Sequence, residues 1–158
     1  MMVTTTQILI VAAILSNAIV FGTDAFSAIV VRPALAYVSE DVLVRTMGHI
    51  HLYGDKRLSL PGTIGSLLAL GAAVTAGISG NGAAAVAAAV AVVVLLVWLA
   101  VFMRSVAPIN KALTTAAMGG APISDARARQ AVSDGVLPIL VACQGAALVA
   151  LSVAGALS

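Results

Sequence analysis

Charge is what this sequence has least of. Asp, Glu, Lys and Arg together make up 9% of its 158 residues, whereas soluble domains carry about 25%. Apolar residues reach 61%, above the roughly 45–50% of globular proteins, so a water-soluble globule of this composition would have to expose a large apolar surface. Cysteine is limited to Cys143, which rules out an intramolecular disulfide and a multi-cysteine metal site. Aromatic residues are three Phe, two Tyr and one Trp, and the eight Lys and Arg are scattered, so no nucleic-acid partner is expected. No Lys or Arg precedes Arg32; a secretory signal peptide would open with a basic stretch, and the first apolar segment is therefore expected to stay as a helix. Glycine-rich phosphate loops, serine nucleophile elbows and paired-cysteine redox motifs are all missing.

Long uncharged apolar runs fill the space instead. A helix needs roughly 20 apolar residues to cross a roughly 30 Å hydrocarbon layer, and four runs meet that length, at about 7–31, 58–79, 83–103 and 136–157. Arg32-Pro33 stops the first, and Arg104 followed by Pro108 stops the third, because charge and the restriction before proline both disfavour continuation in lipid. Gly80-Asn81-Gly82 is a strong turn signal. The expected fold is all-α: one membrane domain over residues 1–158, a four-transmembrane-helix bundle with a tight hairpin between its second and third helices. Polar connections are expected over 32–57 and 104–135, the latter with a loop at 118–122 and a short surface helix capped by Ser124. Small residues that let helices approach closely in lipid stand at Ala83, Ala87 and Ala91 and at Ala142, Gly145, Ala146, Ala150 and Ala154.

The basic residues divide cleanly. Arg32, Arg45, Lys56 and Arg57 lie in the first polar stretch; Arg104, Lys111, Arg127 and Arg129 lie in or beside the second. The positive-inside rule then puts both connections in the cytoplasm and both termini outside, in a plasma membrane of bacterial type, with the lipid bilayer as the first partner.

Asp24 is the most informative single residue, since an ionisable group inside an apolar segment is costly and usually faces the bundle interior. On a helix Asn17, Asp24 and Ser27 fall near one face. Asp24 reads as a proton acceptor, metal ligand or substrate anchor, or else as a fold-fixing partner of an arginine such as Arg32; both readings stay open. His51 and Asp55, four residues apart, share a helical face and suit a base with its orienting carboxylate, or two metal ligands that need Asp24 as a third. His49 falls off that face, and Gly48 and Gly54 lower the helix expectation, so the segment taken alone reads first as a solvated interfacial loop. Asn110 offers an amide for a substrate carbonyl or a cap after Pro108, and Gln144, deep in the last run, suggests an interhelical hydrogen bond.

Gly22-Thr-Asp24-Ala-Phe26, Val31-Arg32-Pro33-Ala34-Leu35, Met47-Gly-His49-Ile-His51-Leu-Tyr-Gly-Asp55-Lys-Arg57 and Pro108-Ile-Asn110 together resemble the anthrone oxygenase-like family of small four-helix membrane proteins, many of which are catalogued only as a domain of unknown function. The likeness covers most of the chain and breaks before the fourth helix, at Ser133-Asp134-Gly135-Val136-Leu137-Pro138. It implies oxygenation of a flat hydrophobic aromatic substrate without an organic cofactor, with His51 as base, Asp55 or Asp24 orienting it, Arg32 or Arg57 stabilising an oxyanion, and Asn110 and His49 contacting substrate. Two other readings stand beside it: a non-enzymatic accessory subunit in a homo-oligomer or larger membrane complex, and a small metal-binding or transport protein drawing on Asp24, His51 and Asp55.

Overall fold

The computed structural model describes residues 4–120 and 122–158, and these form four long helices and no strand. They are α1 (Thr5–Leu35), α2 (Glu40–Ile78), α3 (Gly82–Ala117) and α4 (Ala126–Leu157), each long and apolar enough to cross a membrane. The all-α four-helix bundle expected from the apolar runs is the observed architecture.

The helices run well past those runs. The 39 residues of α2 extend about 58 Å at about 1.5 Å per residue, roughly twice the hydrocarbon thickness of a bilayer. The expected connections over 32–57 and 104–135 are therefore mostly helix, and only 36–39 and 118–125 separate the elements, with Ala121 of the expected loop outside the described residues. Hydropathy marks where lipid can sit, and a helix need not stop there if its polar continuation still packs. Here it does: Leu35, Leu43, Met47, Leu113 and Ala126 form a second core at the basic end of the bundle. Glu40 and Asp41 in the first turn of α2 meet the positive end of its dipole.

Both prolines that signal a stop are instead absorbed. A proline removes one N–H donor, and its ring clashes with the carbonyl four residues back. Ahead of Pro33 the chain takes a π-helical turn over Ser27–Val31, with the Arg32 N–H donating to the Ser27 carbonyl. Ahead of Pro108 it does the same over Phe102–Val106, with the Ala107 N–H donating to Phe102. The wider turn inserts one residue and lets each helix continue. Pro61 and Pro138 lie inside α2 and α4, so every helix carries one proline.

The expected hairpin is present. Gly80 takes a φ of +78°, a conformation that glycine adopts without strain, and Asn81 caps α3 by accepting from the Ala84 N–H at 3.1 Å while its own amide donates to the Leu157 carbonyl at 2.7 Å. Around the ring, α1 packs on α2 and α4, and α3 packs on α2 and α4. The core at this hairpin end is mostly alanine, with Ala13, Ala69, Ala72, Ala88, Ala91, Ala147 and Ala154 buried around Ile10, Leu95 and Leu151. The α3 track is Ala84, Ala88 and Ala91, one residue off the alanines at 83 and 87; on α4 Ala142 and Ala146 face outward. Alanine is so frequent in these runs that its spacing alone does not choose the face.

At the basic end α4 is tied to the α1–α2 connection. The Arg127 guanidinium donates to the carbonyls of Leu35 (3.3 Å) and Val38 (2.6 Å), and the Arg127 N–H donates to Glu40 Oε1 at 3.1 Å. Asp125, not Ser124, occupies the N-cap position of α4, and a hydrogen bond from Arg129 holds the Asp125 carboxyl below the usual carboxylate range.

Candidate functional site

Where the two cores meet, the helices part around a cavity of about 320 Å³. Its lining comes from residues 20–35 of α1, 47–63 of α2, 98–110 of α3 and 130–140 of α4, and the four helical prolines, 33, 61, 108 and 138, all fall within those stretches. Proline and π-helical turns are where helices kink. The cavity thus sits where α1 and α3 take their π-helical turns and where all four helices carry their proline. Most of its wall is apolar, including Val20, Val31, Met47, Leu58, Leu137 and Leu140.

Into this apolar space four helices bring polar groups. Asp24, Arg32, His51, Asp55 and Asn110, expected from the sequence, all line it. Asp24 is not paired with Arg32. Its Oδ2 accepts from the Trp98 indole N–H at 3.4 Å, and Trp98 stacks on Phe102, with centroids 5.4 Å apart and planes 6° from parallel. Arg32 instead faces Asp134, at 3.8 Å between Nε and Oδ2. Asn110, buried, donates to Asp55 Oδ1 at 3.3 Å, so its amide faces the cavity and is bonded to another helix. Asn17 lies deeper, buried against Gly65, and Gln144 is buried with its Oε1 unpaired among the described residues, so the expected interhelical bond from that oxygen is not made.

Two expected residues do not join. His49 is exposed, with Nδ1 2.7 Å from the Arg45 carbonyl, and Arg57 is exposed with its guanidinium 5.2 Å from the Tyr53 ring centroid. At about 100° per residue, His49 lies about 160° around α2 from His51 and Arg57 about 120° away. Neither lines the cavity. Among the described residues no three His, Cys, Asp or Glu side chains come together in a metal-ligand group, so Asp24, His51 and Asp55 share the cavity without forming a ligand set.

Sequence reasoning missed Trp98, Phe102, Gln130, Ser133 and Asp134. Gln130, Ser133 and Asp134 share one helical face by their three- and four-residue spacing, a signal hidden by reading 104–135 as a connection. Gln130 Nε2 donates to Asp134 Oδ1 at 2.8 Å, and Gln130, Asp55 and Asp134 all lie near His51.

Three buried polar atoms of cavity-lining residues, His51 Nε2, Asn110 Oδ1 and Gln130 Oε1, have no hydrogen-bond partner among the described residues. An unmet buried polar atom costs about 1–3 kcal/mol. Gln130 lies within hydrogen-bonding reach of His51 without forming a well-aligned bond to Nε2, so these groups are incompletely satisfied, and a bound molecule with donors and acceptors on its edge would complete them.

Fold and site define a small integral membrane protein: a four-helix bundle with an apolar, polar-edged cavity at the border of its membrane-spanning part. Compared with known proteins, the chain matches no family model, no curated protein and no solved structure.

Proposed function

We propose that this protein is a membrane-embedded oxygenase that converts the acidic methylene of a flat, anthrone-like ring system to a ketone with O₂ and without an organic cofactor. Its basic end faces the cytoplasm and both termini lie outside, as the confinement of all eight Lys and Arg to that end supports. The observation that carries the reading is the set of polar atoms without a hydrogen-bond partner among the described residues, His51 Nε2 foremost, in an apolar cavity walled on one side by stacked Trp98 and Phe102.

His51 Nε2 accepts a proton from the methylene carbon. The electron pair left behind delocalises onto the ring carbonyl oxygen, and Arg32 stabilises that oxyanion. The carboxylates of Asp55 and Asp134 offset the charge on the imidazolium. The carbanion passes one electron to O₂, and the two radicals join in a C–O bond. The resulting peroxide takes the proton back from His51 as a hydroperoxide. Loss of the second C–H proton with cleavage of the O–O bond releases water and leaves C=O, so the sum is CH₂ + O₂ → C=O + H₂O. Asp24 acts at one remove, holding Trp98 against the ring plane.

Purified protein in detergent, given an anthrone, is expected to consume one O₂ per substrate and to form the quinone, followed with an oxygen electrode and by absorbance. A rate no higher than that of empty micelles overturns the reading.

A further inference from the structure

We infer that the cavity takes its ligand from within the bilayer, through a lateral window between α2 and α3, and that this ligand is an uncharged, lipid-dissolved ring compound. This rests on the cavity being a ligand site, as proposed above, though not on the reaction assigned to it.

The window follows from how α3 is fixed. Near the hairpin it lies close to α2, where a Cβ at Gly77 would sit 3.9 Å from that of Ala85. At the basic end it is fixed again: Thr114 Oγ1 donates to the Gly48 carbonyl at 3.1 Å, and Asn110 reaches Asp55. Between these points the π-helical turn over Phe102–Val106 packs mainly on α4 and on its own helix. Leu99 and Met103 there line the cavity and are still 46% and 57% exposed, and Asp55, Ser59 and Thr63 do both on the α2 side. Side chains that belong to both the cavity wall and the outer surface mark its mouth.

The rim and its depth name the ligand. On α3 the rim is apolar, and Met103 ends an uncharged run at Arg104, so the window opens at the boundary between acyl chains and headgroups. Ring systems with one polar edge collect at that depth. On the α1–α4 side Arg32 also lines the cavity and is exposed, but its pair with Asp134 stands across that opening, so an apolar ligand entering there would have to pass two charges.

Cavity labelling in nanodiscs tests this. In protein carrying Cys143→Ala and Ser133→Cys, the single thiol replaces a buried, cavity-lining serine. An uncharged lipophilic maleimide is expected to label it faster than a sulfonated one. Met103→Trp and, independently, Leu99→Trp are each expected to slow the lipophilic reagent about ten-fold, equivalent to about 1.4 kcal/mol of added barrier. Val90→Trp, on an exposed position away from the cavity, is expected to leave the rate unchanged. Equal rates for the two reagents, or rates untouched by both window substitutions, overturn the inference. Labelling needs no turnover, so the entry route stands or falls separately from the oxygenase reading.

Discussion

His51→Gln is expected to lower kcat for anthrone oxidation by about 10²–10⁴, the range that a positioned general base supplies, while leaving substrate affinity nearly unchanged. Glutamine keeps most of the volume and a hydrogen-bonding edge, so the cavity stays filled and polar, but the amide does not accept a proton near neutral pH. The distinction matters because His51 stands among Gln130, Asp55 and Asp134, and a merely structural histidine would move binding and stability together. Steady-state kinetics separate the cases: a fall in kcat at constant KM supports the base, whereas unchanged turnover removes His51 from the mechanism.

Gly48→Ala is expected to destabilise the bundle by about 3 kcal/mol, the upper range for overpacking a close interface, while Gly54→Ala in the same helix stabilises it by about 0.5–1 kcal/mol through helix propensity. The two glycines look alike in the sequence. In space a Cβ at Gly48 would overlap Ala117 Cβ and lie 2.6 Å from the Leu113 carbonyl oxygen, and main chain does not yield as a side-chain tip does. At Gly54 the nearest atom is Leu58 Cδ1 at 4.0 Å. Gly48 therefore serves the approach of α3 that brings Asn110 to Asp55, and α3 displaced there would open the cavity. Thermal unfolding of both variants in one detergent checks the opposite signs; two shifts of the same sign would contradict this assignment.

The membrane-spanning cores and the hairpin were legible because lipid imposes a minimum apolar length and Gly80-Asn81-Gly82 imposes a turn. His51 and Asp55 were legible together because a spacing of four holds on any helix. Helix ends were not legible from hydropathy, which does not register a polar helix packed as Leu43, Met47 and Leu113 pack at the basic end. Pro33 and Pro108 read as stops because proline breaks the ordinary hydrogen-bond ladder; π-helical turns, which keep the neighbouring backbone groups paired, are not signalled by any residue in the pattern. Trp98 and Asp134 stayed hidden for another reason. Each earns its place in the site through a partner on another helix, Asp24 and Arg32, and such pairings depend on the order and rotation of helices around the ring.

Trp98 is the only tryptophan in the chain, and it stands in the cavity wall. Its fluorescence therefore reports occupancy of the site without interference. Titrating the purified protein in detergent with a planar anthraquinone should quench Trp98 emission saturably, at one ligand per chain. Quenching that rises linearly with quinone and never saturates, as for a tryptophan meeting quinone dissolved in the micelle, would contradict a ligand cavity in this bundle.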